Sequence, residues 1–205
     1  MDGIELMLPM PKWLLTKSQL IKQMGSADNR LALQAVELLK SKGWFRDGSL
    51  RGAQLSGAQL QGAALAKADL EGANLQAANL TKAYLGDTHL RAADLRGARL
   101  VEANMRNVIL LEADLREADL SGAYLADGRL LGALLNDARL RETNFWNTDL
   151  SGVSLEGADL QGAQFQHTRL DEATILPDGS RWSLECDLSQ FTDPQHPQFW
   201  QREQR

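Results

Sequence analysis

The side chains best suited to nucleophilic or metal chemistry are few: His89, His167, His196 and the single cysteine, Cys186, in 205 residues. A structural metal site needs Cys and His at short, paired spacings, and no two of these four stand so. No G-x-S-x-G, Gly-rich phosphate loop or Walker pattern occurs either. The three imidazoles are therefore read as surface groups, and Cys186, with no base beside it, as part of a terminal cap. Asn79-Leu80-Thr81 matches a glycosylation sequon, but Leu80 belongs to an inward-facing series described below. No catalytic, cofactor-binding or metal-ligating residue is assigned, and the chain reads as a non-enzyme. Lys plus Arg number 22 and Asp plus Glu 27, a net charge of −5, which excludes a generally phosphate-binding, strongly basic chain. One cysteine excludes an internal disulfide framework and suits a reducing compartment. No apolar run approaches the ~20 residues of a membrane span. Asp2, Glu5, Pro9 and Pro11 lack the basic-then-apolar order of a secretory signal.

The elements that position everything else come from a repeat. From Leu50 to Leu170 every fifth residue is large and apolar: of 25 positions 22 are Leu, the others Met105, Phe145 and Phe165. Ile175 is expected to continue the register. Two residues before each, 18 of 25 positions from Ala53 to Ala173 are Ala; two residues after, 10 of 25 are Gly. The residue just before this large apolar residue is Asp or Asn ten times.

On an α-helix, at ~100° per residue, five residues leave successive leucines ~140° apart, spiralling around the rod. On a straight strand an odd period sends each successive Leu to the opposite face. Within one unit, however, Ala and Leu are two apart and share a face. The chain must bend once per unit, with Gly supplying the corner dihedrals and Asp or Asn hydrogen-bonding locally to the turn. Thr88, Val108, Gly128, Thr148 and Thr168 replace Ala at twenty-residue intervals, and Phe145 and Phe165 are also twenty apart. Four units per turn is therefore the expected closure, with Leu90, Leu110 and Leu130, and likewise Phe145 and Phe165, stacked in the core.

Residues 48 to 175 resemble the pentapeptide-repeat proteins, whose unit is A(D/N)Lxx. The resemblance implies an all-β solenoid, the right-handed quadrilateral β-helix, here of about six coils, each spaced ~4.8 Å. Handedness rests on the resemblance alone. With the lack of export features it also implies a bacterial, cytoplasmic protein; no cofactor is expected, since no motif for one is present.

Terminal caps are expected because a stacked coil exposes core and backbone at each end. Residues 1–46 form a helical cap: Thr16 or Ser18 starts a short helix to about Met24, and after Ser26 and Asp28 a second carries Leu31, Ala35, Leu38 and Leu39 at helical spacing before Gly43. Trp44 and Phe45 pack at its hinge; dimerisation through this helix is the sharper alternative. Residues 47–175 form the coil, and 176–205 a turn or hairpin at Pro177-Asp178-Gly179, aromatic cover from Phe191, Phe199 and Trp200, and a tail fraying from Gln201.

With twenty residues per turn, Arg99, Asp119, Arg139 and Asp159 form a column of alternating sign. Ile109, Leu111 and Leu131 share one face with Leu134 round the corner, an apolar patch open to a protein partner, to a second copy, or to cover by the chain's own termini. Tyr84, Tyr124 and Trp146 lie on another face. The leading expectation is a non-catalytic protein-interaction scaffold, with direct nucleic-acid binding and membrane contact disfavoured. The alternative implied by the resemblance is a DNA mimic that binds DNA gyrase. Residues 48–175 carry 12 basic and 17 acidic groups, far fewer net charges than the roughly eighteen of ~30 Å of duplex.

Overall fold

The computed structural model describes residues 14–201. Its repeat region closes every twenty residues. Gln54 pairs in parallel with Asn74, Asn74 with Asp94, and so on through Asp114, Leu134 and Ser154, with three equivalent series starting at Gln59, Ala64 and Asp69. Each five-residue unit is thus one side of a square, and short extended segments stack along the axis.

Three backbone bonds per unit join neighbouring coils, as the units around Leu55 and Leu75 illustrate. Leu55 N–H donates to Asn74 O at 2.7 Å, Gly57 N–H to Gln76 O at 2.8 Å, and Asn74 N–H to Ala53 O at 2.9 Å. A fourth bond, from Ala58 N–H to Leu55 O, closes the corner. From Gly52 to His167 the corner residue two after each inward Leu, Met or Phe holds a positive φ, in glycines such as Gly57 and also in Lys67, Ala77, Asp87, Glu112 and others. All ten Asp or Asn residues preceding an inward Leu, Met105 or Phe145 accept the backbone N–H two positions on, from Asp69 through Asp159. These bonds fix the turn that the sequence pattern requires.

Leu90, Leu110, Leu130 and Phe145 are fully buried. The Phe145 and Phe165 rings stack with centroids 5.2 Å apart. Phe165 is only half-buried, because the coil containing it is the last on its side. Where Thr replaces Ala, its buried hydroxyl donates to a core carbonyl one coil back: Thr88 to Leu65 O at 3.0 Å, Thr148 to Leu125 O at 3.0 Å, Thr143 to Leu120 O at 2.9 Å. Gly128 sits in the same column because a Cβ there would lie 2.7 Å from Leu125 O.

One register expectation is corrected. Ser154 pairs with Ile175, twenty-one residues on, so Ile175 occupies the outward position. Thr174 and Leu176 are buried in its place, while Ala173 is exposed. The extra residue is absorbed at Asp171, whose carboxylate accepts from Gly152, Ala173 and Thr174 N–H groups. A side-chain oxygen here replaces the backbone acceptor that the regular coils offer. These bonds, that from Gly152 first, hold the Asp171 carboxyl below its usual range.

Helices stand at the N-terminal end. α1, Lys17–Met24, is capped by Thr16 in a capping box with Gln19. α2, Asn29–Ser41, is capped by Asp28. Its buried face is Ala32, Ala35, Val36 and Leu39; Leu31 and Leu38 are half-buried, so the inward stripe is turned from the expected one. Ser26 O accepts from Gln59 N–H and Phe45 O from Asp69 N–H, seating this end on the coil. Lys17 reaches Asp47 at 2.6 Å and, with Lys42, lies about 5 Å from the Trp44 ring centroid. At the other end Ile175 pairs antiparallel with Arg181 around the Pro177–Gly179 turn. α3, Ser189–Thr192, follows, with Phe191 buried and Thr192 O accepting from Gly162 N–H. The tail beyond Gln201 lies outside the described residues.

Candidate interaction surface

Stacking brings the four sequence-predicted patch residues together. Ile109 lies between His89 and Arg129 in its column, and Leu134 between Asp114 and Ser154 in the column of the next side. Ala92 N–H donates to Leu111 O and Glu112 N–H to Leu131 O, so Leu111 and Leu131 are also stacked neighbours. Leu131 is 49% exposed and Leu134 39%, while Ile109 and Leu111 are half-buried. Charged pairs rim the patch. Arg91 meets Glu112 at 3.1 Å, and on the adjoining side Arg96 pairs with Asp94 and Arg116 with Asp114, each at 2.6 Å. The guanidinium hydrogen bonds hold the Asp94 and Asp114 carboxyls below the usual range. An aliphatic centre with a paired polar rim is the usual build of a docking surface.

The described parts of the termini bond elsewhere on the rod: Ser26 before α2 and Phe45 after it to the first coils, and Thr192 of α3 to Gly162 near the last. Cover by residues 1–13 lies outside the described residues. On the side adjoining the Ile109 column, and at the corner between them, Tyr84, Tyr124 and Trp146 are 58%, 39% and 43% exposed, with His167 edge-on to Trp146 at 5.9 Å.

The alternating column forms as expected, Arg99, Asp119, Arg139 and Asp159 pairing in sequence through their backbones. Its side chains ladder only in part. Arg139 meets Asp119 at 3.7 Å, whereas Asp159 is taken by Arg141 at 2.6 Å. Sequence reasoning missed the cleft beside it. About 920 Å³ of space lies between this side and the C-terminal segment, lined by Glu117, Arg139, Arg141, Asp159, Phe199 and Trp200 among others. Its only sequence signal was the terminal aromatic cluster, read as core cover.

The histidines remain apart: His89 and His167 are exposed, and His196 Nε2 lies 3.4 Å from Asp187. Among the described residues no group of three or more His, Cys, Asp or Glu is placed to hold a metal ion. Burial pushes the Cys186 thiol up, which lowers its reactivity. No described helix is long and apolar enough to cross a membrane.

The family described as pentapeptide repeats matches in eight copies over residues 53–91, 73–110, 83–122, 113–145 and 138–175. Among solved structures, the pentapeptide repeat protein Rfr23 of the cyanobacterium Cyanothece 51142 is 32% identical over 48% of this chain, with a TM-score of 0.40. The match spans 63% of that protein's length. A pentapeptide repeat protein of the Arabidopsis thaliana thylakoid lumen is 30% identical over 48% of this chain and 68% of its own, with a TM-score of 0.47. QnrB1, a plasmid-mediated fluoroquinolone resistance protein, is 21% identical over 62% of this chain and 69% of its own, with a TM-score of 0.38. No curated protein matches the chain.

Proposed function

The chain belongs to the pentapeptide-repeat family, whose members form right-handed quadrilateral β-helices, and from that premise we propose that it is a non-catalytic scaffold of a bacterial cytoplasm. Its rod, held between a helical cap and a C-terminal cap, docks a protein partner or a second copy on Ile109, Leu111, Leu131 and Leu134. The observation that carries this reading is the contiguity of the patch: Leu131 and Leu134 are exposed together on a surface whose other outward positions are mostly polar. A rigid β-helix holds them in fixed register, so docking needs little ordering of the scaffold.

The competing reading is a mimic of duplex DNA that occupies the groove of DNA gyrase. A mimic needs bare acidic charge, whereas Arg51, Lys82, Arg91, Arg96, Arg106, Arg116, Arg139 and Arg141 each lie within 4.0 Å of a carboxylate. The charge is largely internally compensated, which favours the scaffold.

Two measurements test the choice. Affinity capture is run with wild type and with Leu111→Glu/Leu131→Glu, both checked by thermal melting. A protein retained by wild type and lost by the folded double variant supports docking at the patch; equal retention overturns it. Inhibition of gyrase supercoiling at micromolar protein would replace the scaffold reading with the mimic.

A further inference from the structure

α2 has an outer side that nothing among the described residues fills. A shallow groove of about 600 Å³ runs along it, lined by Asn29, Arg30, Leu33, Gln34, Glu37 and Leu38. Leu33 and Leu38 are half-buried, while Arg30 and Glu37 are exposed. The Arg30 side chain is 76% exposed and its paired carboxylate, Asp28, is 3.9 Å away. Asn29 Oδ1 and Gln34 Oε1 are both buried and have no hydrogen-bond partner. Buried polar oxygens of this kind call for a donor.

The order of these residues is self-complementary. At ~100° per residue, positions seven apart differ by only ~20°, so Arg30 and Glu37 lie along one line of the outer face. Leu33 and Gln34 flank that line on opposite sides. Consider a second α2 running antiparallel, related by a two-fold axis level with the junction of residues 33 and 34. Arg30 then opposes Glu37 of the partner subunit, and Glu37 opposes Arg30 of the partner subunit. On one side of the axis Leu33 meets its own copy. On the other Gln34 meets its own copy; a primary amide carries both donors and an acceptor, and a turn of the side chain brings Oε1, buried in the single chain, out to exchange hydrogen bonds with that copy. An isologous interface requires this reciprocity.

We infer that α2 pairs antiparallel with α2 of a second copy, joining two rods through their N-terminal caps. The charge pattern selects the antiparallel sense, because a parallel pair would set Arg30 against Arg30 and Glu37 against Glu37. A 13-residue helix is only ~20 Å long, so the contact falls below the ~800 Å² per partner of a standard interface. The dimer is therefore weak and exchanges at micromolar concentration.

Sedimentation equilibrium over a micromolar concentration series tests this, with circular dichroism and thermal melting showing that each variant is folded. Wild type is expected to dimerise reversibly. Arg30→Glu alone and Glu37→Arg alone each place like charges together twice, weakening the dimer by roughly tenfold or more. An equimolar mixture of the two single variants restores association, and the double variant Arg30→Glu/Glu37→Arg self-associates like wild type. Self-association that falls in Leu111→Glu/Leu131→Glu but persists in Arg30→Glu assigns the dimer to the mid-rod patch and overturns the inference. A wild type that stays monomeric throughout the series overturns the inference. So does a single variant that dimerises as well as wild type, or a mixture that fails to recover.

Discussion

At the scale of the residue, the fold asks for one unusual conformation in every unit, the positive φ two places after the Leu. Sequence reading finds the glycines that meet it and misses the larger set of non-glycine residues that meet it too, among them Ala77 at φ 54° and Lys67 at φ 65°. No composition signal marks them, because the demand is made by the square closure and answered by neighbours on both coils. An L-residue in this region carries a steric cost that Gly does not. Gly57, at φ 68°, isolates that cost, since a Cβ there would meet nothing within 4 Å. Gly57→Ala is expected to destabilise by about 1 kcal/mol through the backbone alone, and Ala77→Gly to act in the opposite direction. Urea titration checks both: the midpoints should move apart with an unchanged slope. Equal midpoints would mean that the corners tolerate side chains freely.

At the scale of the element, legibility follows periodicity. The coil was legible from Leu50 to Leu170 because a repeated inward pair leaves no other arrangement, and Thr16 and Asp28 announced their helices through side-chain caps. The slip at Asp171 was not legible. Ala173-Thr174-Ile175 and Thr174-Ile175-Leu176 both satisfy the inward pair, since Thr serves in the Ala position at Thr88, Thr143 and Thr148 as well. The choice is made by the Asp171 carboxylate, a contact that periodicity does not encode. The columns of the four patch residues follow from the twenty-residue turn; the C-terminal cleft was not legible, because it depends on how an aperiodic segment returns. The junction of α1 with the coil is a second such contact. The Lys17 hydrogen bond holds the Asp47 pKa at about 2, below its ordinary 3.8. A depressed carboxylate pKa gives stability that is complete above the unfolded-state value and lost as pH falls toward the folded one. The melting-temperature difference between wild type and Asp47→Asn should therefore be constant above about pH 5 and shrink between about pH 4 and 2. A difference that persists unchanged at pH 2 would contradict the pairing.

At the scale of the whole molecule, each coil bonds only to the coils above and below it, so stability is a sum of repeat and nearest-neighbour terms. Coupling along the rod then decides whether the docking patch and the α2 face belong to one rigid object. Leu110 is fully buried in the central stack, directly behind the patch between Ile109 and Leu111. A carboxylate placed there has no partner and no water, a cost of several kcal/mol. The nearest-neighbour bonds cannot confine such a loss to one unit, because Leu110 N–H and the N–H groups of Ile109 and Glu112 tie it to Arg129, Thr88 and Leu131. Leu110→Asp should consequently lower the melting temperature and release amide protons across the coils on either side of Leu110. Protection in α2, whose flanking residues Ser26 and Phe45 bond to the first coils, should fall less. Hydrogen exchange read by mass spectrometry distinguishes the cases: loss confined to the unit of Leu110, or a melting temperature equal to wild type, would show that the leucine stack does not hold the rod together.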